Sequence, residues 1–201
     1  MTPVANEILV LGPQHNGILL SSDEFDHAEF EAGWRYELIH GVLIVTSTPL
    51  REERDPNEEL GYLLRRYRED HSDGATLDAT LSEEVVYVGA HRRRADRAIW
   101  TGLGRLPSEQ ETPSIIVEFV SAGRRNRHRD YEEKRDEYLS VGVQEYWVFD
   151  RFERTMTVFR QGRGPSPRKE VLANSDVYVT TLLPGFQLPL ARLFQIASRW
   201  E

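Results

Sequence analysis

The 201-residue chain contains no cysteine, which excludes disulfide bonds and thiolate metal ligands. It also has no apolar run that approaches the length of a membrane span, and its first twenty residues show no basic leader followed by a long apolar core. We therefore expect a cytoplasmic protein with no membrane partner. The length fits one domain with a substantial core, and we expect residues 1–201 to form it.

Lysine is also scarce, because only Lys134 and Lys169 occur among the 25 basic residues. The six histidines show no paired spacing of the kind that zinc sites use. A glycine-rich phosphate loop and a serine nucleophile elbow are missing as well. These absences argue against three common types of hydrolytic or nucleotide-binding site.

The net charge of −8 does not by itself favour a nucleic-acid partner. The distribution of charge is uneven, however, since 11 of the 25 basic residues lie between His91 and Arg135. A local basic rim can hold phosphates on an acidic protein, and a solvated arginine-rich surface is the alternative that stays open. The candidate nucleic-acid-binding residues are Arg92, Arg93, Arg94, Arg97, Arg124, Arg125 and Arg127.

Two predicted strands each carry one carboxylate. The β-branched run from Ile115 to Val120 is typical of a strand buried on both faces, and it contains Glu118. A lone carboxylate there is costly unless it is paired, hydrogen-bonded or bound to a metal. The run from Arg94 to Trp100 predicts a second strand, which carries Asp96. Two convergent carboxylates suit a hard divalent cation such as Mg²⁺ (or Mn²⁺).

A predicted helix over 130–141 brings a lysine towards these carboxylates. Helical spacing predicts an inward stripe of Tyr131, Lys134, Arg135, Tyr138 and Leu139. Lys134 could orient or deprotonate a water, or neutralise charge in the transition state. An ordinary surface pair with Asp130, four residues earlier, is the alternative that stays open.

The remaining pattern mixes strands and helices, which predicts a mixed α/β fold. Ser21 and Glu24 are spaced as a capping box, which predicts a helix start there and a short helix through residue 31. Other predicted helices cover 57–71 and 190–200, and a basic loop covers 122–129. Short strands over 177–181 and 186–188 are expected to extend the sheet edge. The other predicted strands cover 34–39, 42–46, 76–81, 84–88, 144–150 and 155–160.

The order of Asp, then Glu near the end of an apolar strand, then Lys resembles the PD-(D/E)XK nuclease superfamily. More narrowly, the sequence resembles the Uma family of restriction-endonuclease-like proteins over roughly residues 20 to 160. The stretches that carry the resemblance are 34–41, the strand at Asp96, 116–121, 130–134 and 142–150. The last stretch and its distance from Lys134 are the most specific of them.

The resemblance implies a restriction-endonuclease-like core, in which helices flank a mixed central β-sheet, followed by a strand and helix extension over 161–201. It implies that Asp96 and Glu118 are catalytic metal ligands and that Lys134 is the catalytic lysine. Glu37 matches an early acidic position and is implied as an additional metal ligand. The superfamily places its lysine two residues after the glutamate, where this chain has Val120, so Lys134 must reach in from the helix.

Three other positions depart from the family pattern. Ala95 and Ala122 stand where proline is usual, and His40 stands where aspartate is common. None of these changes removes a proposed ligand.

The leading hypothesis is a Mg²⁺-dependent endonuclease that acts on DNA. A catalytically inactive nuclease-fold module for DNA binding or assembly is the first alternative, since a fold does not establish an activity. A metal-dependent hydrolase of RNA or nucleotides is the second. A homodimer is also left open.

Overall fold

The computed structural model describes residues 8–161 and 166–200. Residues 1–7 lie outside the described residues, and so do residues 162–165 of the predicted extension. The chain divides into two compact units, Met1–Thr48 with Tyr87–Arg94, and Pro49–Val86 with Ala95–Glu201. The single domain expected from length stays a prediction. Within the described residues, no helix combines the length and apolar character that crossing a membrane requires.

The smaller unit is built on a β-hairpin. Its turn places His40 and Gly41 at φ angles of 50° and 74°, as a two-residue turn with two left-handed positions requires. The hairpin confirms the predicted strands, and its first strand also pairs with Arg92 through Leu38. The elements of this unit are β1 (Val10–Leu11), α1 (Ser22–Asp26), β2 (Glu29–Phe30), β3 (Trp34–Ile39) and β4 (Val42–Ser47).

Helix α1 begins as the sequence indicates but ends early. The Ser21 Oγ accepts the Glu24 N–H at 3.1 Å, and a Glu24 carboxylate oxygen accepts the Ser21 N–H at 2.8 Å, which forms a capping box. The prediction of a helix through Glu31 is wrong, because the chain turns after Asp26 so that β2 can pair with β1.

The larger unit contains a mixed sheet with strands in the order β10-β9-β8-β7-β6, and β5 pairs with β6. Strands β7 and β8 are parallel, whereas the pairs β6–β7, β8–β9 and β9–β10 are antiparallel. The mixed sheet confirms the predicted fold class. The strands are β5 (Leu77–Val88), β6 (His91–Thr101), β7 (Ile115–Phe119), β8 (Glu145–Asp150), β9 (Thr155–Arg160) and β10 (Arg168–Ala173), of which β5 and β6 have one end in the smaller unit.

Helices flank this sheet, as predicted. Leu60 and Leu64 of the first long helix lie in the same buried cluster as Val117 and Trp147 of the strands and Leu193 of the last helix. Each of these side chains is at most 1% exposed, so this cluster is the main core of the unit. The helices are α2 (Arg51–Asp70), α3 (Arg124–His128), α4 (Lys134–Ser140) and α5 (Leu190–Ala197).

The segment between β7 and β8 differs from the predicted basic loop. Gly123, at a φ angle of 106°, lets the chain leave the strand and enter α3 at once. The Asn126 side chain then donates to the Ala122 carbonyl at 2.7 Å. A π-helical turn over Arg129–Glu133 joins α3 to α4, and such turns often occur at functional sites.

The C-terminal segment packs onto the main core. Its two short strands, β11 (Val177–Tyr178) and β12 (Leu188–Pro189), pair with each other. The prediction that these regions extend the sheet edge is therefore wrong, and β10 forms the edge instead. The reason is that their apolar side chains, including Tyr178 and Leu188, face the buried cluster.

Glu145 links the sheet to this C-terminal segment. Its Oε1 accepts hydrogen bonds from Arg160 Nε at 2.8 Å and Thr180 Oγ1 at 2.9 Å. Its Oε2 accepts from Trp147 Nε1 at 2.9 Å and the Tyr178 hydroxyl at 2.7 Å. A buried carboxylate with four donors is well compensated for its lost hydration.

Candidate active site

Asp96 and Glu118 lie on the paired strands β6 and β7 of the larger unit. The antiparallel register pairs Arg97 with Val117, and Asp96 and Glu118 are the residues next to that pair in the chain. Asp96 is 5% exposed and Glu118 is 2% exposed, and an Asp96 carboxylate oxygen accepts the Phe119 N–H at 2.7 Å. Convergence of the two carboxylates on one cation stays a prediction.

Lys134 reaches the same site from the first position of α4. Its Nζ lies 2.8 Å from Glu118 Oε1, and both side chains are 3% exposed. The Tyr138 hydroxyl donates to the same oxygen at 3.2 Å. The alternative of an ordinary surface pair does not fit a buried lysine that contacts a buried strand carboxylate.

Asp130 is a site residue that sequence reasoning treated only as a surface partner of Lys134. It is 1% exposed, and Arg129 Nε lies 3.2 Å from its Oδ1. The Tyr146 hydroxyl holds its backbone carbonyl at 2.8 Å. The usable signal in the sequence was its position one helical turn before Lys134, which puts both residues on one side of the helix.

The buried acids repel one another, with Lys134 as their shared counter-charge. Burial raises the pKa of Glu118 to about 8, Lys134 opposes that rise, and Asp96 and Asp130 add to it. Burial likewise raises the pKa of Asp130, again against Lys134 and Arg129. Three carboxylates around one lysine leave an excess of negative charge when all are ionised.

The donor set fits a hard divalent cation. In the described ranges, 8–161 and 166–200, no group of three or more histidine, cysteine or acidic side chains is arranged to hold a metal ion. Mg²⁺, however, is commonly held by one or two carboxylates, with water and substrate oxygens completing its shell. Asp96 and Glu118 supply those two carboxylates, and a cation would relieve their repulsion.

Glu37 lies in the smaller unit, on β3. It is 7% exposed, and its Oε1 accepts the backbone N–H of Arg94 at 2.9 Å. This hydrogen bond holds the start of β6 beside β3. Its role as an additional metal ligand stays a prediction.

The arginines of β6 do not form the expected basic surface. Arg93 and Arg97 are 1% exposed and Arg92 is 6% exposed. Arg92 Nε donates to Asp26 Oδ1 at 2.7 Å, and its guanidinium stacks over the Tyr87 ring. The prediction that these three arginines lie on a phosphate-binding surface is wrong, because their side chains are packed inside the protein.

Arg97 shows how the fold makes room for a buried guanidinium. Its Nε and Nη2 donate to the side chain and backbone carbonyl of Asn57 at 2.7 and 2.9 Å, and Nη1 donates to Thr80 at 3.0 Å. A Cβ at Gly61 would lie 2.6 Å from Arg97 Nη2. Burial lowers the pKa of Arg97 to about 10, which marks it as a structural charge held by neutral groups.

The other candidate arginines remain accessible. Arg124 and Arg125 are exposed at the start of α3, and Arg94 is partly exposed. Arg127 Nη1 lies 2.6 Å from the buried Asp150 carboxylate, although its side chain is 42% exposed. The basic rim is therefore reduced to these four residues, and their contact with DNA stays a prediction.

Comparison with known proteins places this geometry in a family. A crystal structure from Anabaena variabilis ATCC 29413, described as a "putative nuclease belonging to DUF820", aligns with a TM-score of 0.70 and 17% identity over 89% of this chain and 99% of that one. This likeness shows the fold. No curated protein matches the chain significantly. The family model described as "Uma2: Putative restriction endonuclease" matches residues 22–191, and the chain therefore belongs to the Uma2 family.

Proposed function

We propose that the chain is a Mg²⁺-dependent endonuclease that hydrolyses DNA phosphodiester bonds at Asp96, Glu118 and Lys134. Membership of a restriction-endonuclease family and the nuclease-like fold support a nuclease function. One observation carries the choice of residues. Lys134 and Glu118 form a buried ion pair, and Asp96 on the paired strand raises the pKa of Glu118. Buried ionisable side chains with perturbed pKa values are typical of functional sites.

Asp96 and Glu118 would hold the cation, Mg²⁺ or Mn²⁺. When bound, the cation supplies positive charge that polarises a phosphoryl oxygen and makes a water more acidic. Without a cation, the negative charges of the two carboxylates would repel the phosphate of the substrate from the site. Glu37 is proposed as a further ligand on the family resemblance alone.

Lys134 would act through its Nζ atom. In the described residues Nζ is held by Glu118 Oε1, which fixes the ammonium at the acidic site instead of leaving it in solvent. From there it can orient a water, move a proton or offset negative charge that develops on the phosphate. Tyr138 supports this arrangement by donating to the same Glu118 oxygen.

Arg124, Arg125 and Arg127 would contact the phosphate backbone next to the site, with Arg94 as a further candidate. Arg124, Arg125 and Arg127 lie in the segment between β7 and Lys134, which supports this proposal. A cytoplasmic location and a homodimer remain proposals from sequence.

Cleavage by the wild-type protein tests the proposed function. We expect the protein to cut DNA in Mg²⁺ or Mn²⁺ and to be inactive in EDTA, with RNA cut more slowly. DNA binding without cleavage in either metal would favour the inactive binding module. Faster hydrolysis of RNA would favour the second alternative.

The salt dependence of DNA binding tests the basic rim. Replacing Arg124 and Arg125 together with glutamine should reduce the slope of log K against log salt by about 2, because each phosphate contact contributes about one unit. The matched control replaces Arg65 and Arg68, two exposed arginines of α2. A slope that changes equally in both double variants would show that the rim is only solvated surface.

A further inference from the structure

Phe152 is an exposed aromatic side chain in the turn that joins β8 to β9. It is 49% exposed, and the Arg151 guanidinium lies over its ring, with Cζ 4.2 Å from the ring centre. Turns ordinarily carry glycine, proline or small polar residues. An aromatic ring that is half open to solvent in such a turn is available to a binding partner.

The buried Asp150 carboxylate fixes this turn. Asp150 is 0% exposed, and its Oδ1 accepts the N–H groups of Phe152 and Glu153 at 3.0 and 3.1 Å. Its Oδ2 lies 2.6 Å from Arg127 Nη1 and accepts the Tyr131 hydroxyl at 3.2 Å. A ring presented by a backbone that is already fixed loses less conformational freedom when it binds a ligand.

The turn lies at the end of the sheet that carries the candidate active site. Strands β7 and β8 are parallel, and their register pairs Phe119 with Phe149. The Val120 N–H then donates to the Phe149 carbonyl at 2.9 Å. Glu118 comes one residue before this pairing on β7, and Phe152 comes three residues after it on the other strand. The ring is therefore close to the carboxyl end of the strand that supplies Glu118.

The surroundings of the ring are basic. Segments 124–128 and 150–154 contain five arginines and two acids, and the ion pair between Arg127 and Asp150 joins them. Of the two acids only Glu153 is exposed, and it lies 3.7 Å from Arg127 Nη2. Proteins bind unpaired nucleic-acid strands with this combination, in which cations attract the backbone and an aromatic ring stacks on a base.

A protein partner fits this surface less well. Phe152 is the only apolar residue of segment 150–154. Contacts between proteins use contiguous apolar patches with a polar rim, whereas one aromatic ring among arginines is typical of a contact with a single base.

We propose that Phe152 stacks on an unpaired base of the DNA, so that the protein prefers single-stranded DNA to an intact duplex. The inference rests on the proposed function and deepens it, since it names the form of DNA that the same site takes. In a duplex the neighbouring base pairs cover the faces of each base, and exposing a face costs unstacking energy. Stacking is tolerant of sequence because every base has a π-face.

Fluorescence anisotropy with a labelled oligothymidylate and a labelled duplex tests the inference through binding alone. The titrations use Ca²⁺, which prefers oxygen ligands as Mg²⁺ does. We expect the wild type to bind the single strand more tightly than the duplex. Phe152→Ala should bind the single strand roughly 5-fold or more weakly than the wild type, because it loses the stacking contact. Phe152→Trp keeps a flat ring and should retain the wild-type affinity.

Tyr62→Ala is the matched control. Tyr62 is also 49% exposed and also lies beside an arginine, Arg192, but it is on α2. This variant should bind the single strand as the wild type does. A melting curve checks that each variant folds, and if Phe152→Ala does not fold, Phe152→Leu replaces it, because leucine keeps the apolar bulk without the flat ring and should also bind more weakly.

The outcomes separate this inference from the proposed function. Unchanged single-strand affinity in Phe152→Ala, an equal loss in Tyr62→Ala, or tighter wild-type binding to the duplex would overturn the inference and leave the endonuclease proposal intact. Weaker single-strand binding by Phe152→Ala alone, in a protein that cuts no DNA in Mg²⁺ or Mn²⁺, would support the inference and overturn the proposed cleavage. A wild type that binds neither probe would overturn both.

Discussion

Lys134→Arg is expected to fold and to bind metal, but to cleave DNA at least about 100-fold more slowly than the wild type. Lys134 Nζ sits 2.8 Å from Glu118 Oε1 in a buried site. A guanidinium is planar and larger, and its pKa above about 12 prevents it from releasing a proton. Positive charge alone therefore does not replace the lysine. Single-turnover cleavage in Mg²⁺ and in Mn²⁺, beside a melting curve, measures the effect.

The chain provides its own control for this substitution. Lys169, the only other lysine, is exposed on β10, so Lys169→Arg should cleave DNA at the wild-type rate. A Lys134→Met variant removes both the charge and the titratable amine, and it should also lose stability by leaving Glu118 without its ion-pair partner. Near-wild-type cleavage by Lys134→Arg would make Lys134 a structural counter-charge and not a catalytic group.

Glu145→Ala is expected to cost about 3–5 kcal/mol of unfolding free energy, because it removes the charged partner of a buried network. Arg160, Trp147, Tyr178 and Thr180 would each lose an acceptor at once. At about 2–4 °C per kcal/mol for a chain of this size, Tm should fall by roughly 6–20 °C. Thermal and urea unfolding measure the loss.

Glu170→Ala is the matched control, since Glu170 is the other carboxylate that Arg160 contacts. Arg160 Nη1 donates to it at 2.8 Å, but its side chain is 49% exposed. Exposed ion pairs contribute about 0–1 kcal/mol. A similar loss of stability in both variants would mean that the buried network does not hold the C-terminal segment to the sheet.

The central pair of carboxylates and Lys134 could be predicted because each lies on a strongly patterned element. The β-branched run around Glu118 defines a buried strand, and the strand of Asp96 lies in the same predicted sheet. The structure pairs the two strands in antiparallel register and buries both carboxylates. The local sequence pattern was sufficient here because a buried carboxylate is costly unless it is paired, hydrogen-bonded or bound to a metal.

Spacing puts Asp130 on the same side of the helix as Lys134 but does not show that Asp130 is buried, because the π-helical turn changes which side chains face the sheet. An uninterrupted α-helix would direct Tyr131 and Arg135 inward, whereas the structure buries Asp130, Lys134 and Tyr138 and leaves those two partly exposed. A π-helical turn contains about one residue more than an α-helical turn, and amino-acid composition does not reveal it. The packing of the helix against the sheet determines which of its side chains are buried.

The burial of Glu53 could not be predicted because the predicted start of α2 was six residues too late. The structure begins the helix at Arg51 and accommodates Pro56 inside it.

The burial of Arg92, Arg93 and Arg97 was missed for a different reason. Charge counts do not reveal which neighbours, such as Asp26, Asn57 or Gly61, will accept a guanidinium in the interior.

Titration of Mn²⁺ into the wild-type protein and into Glu118→Gln tests the proposed cation site most directly. Glu170→Gln serves as the exposed-carboxylate control. We expect the wild type and the control to bind with the same affinity and Glu118→Gln to bind far more weakly. A melting curve in EDTA checks that Glu118→Gln folds. Equal Mn²⁺ affinity in all three proteins would contradict a cation site at Asp96 and Glu118.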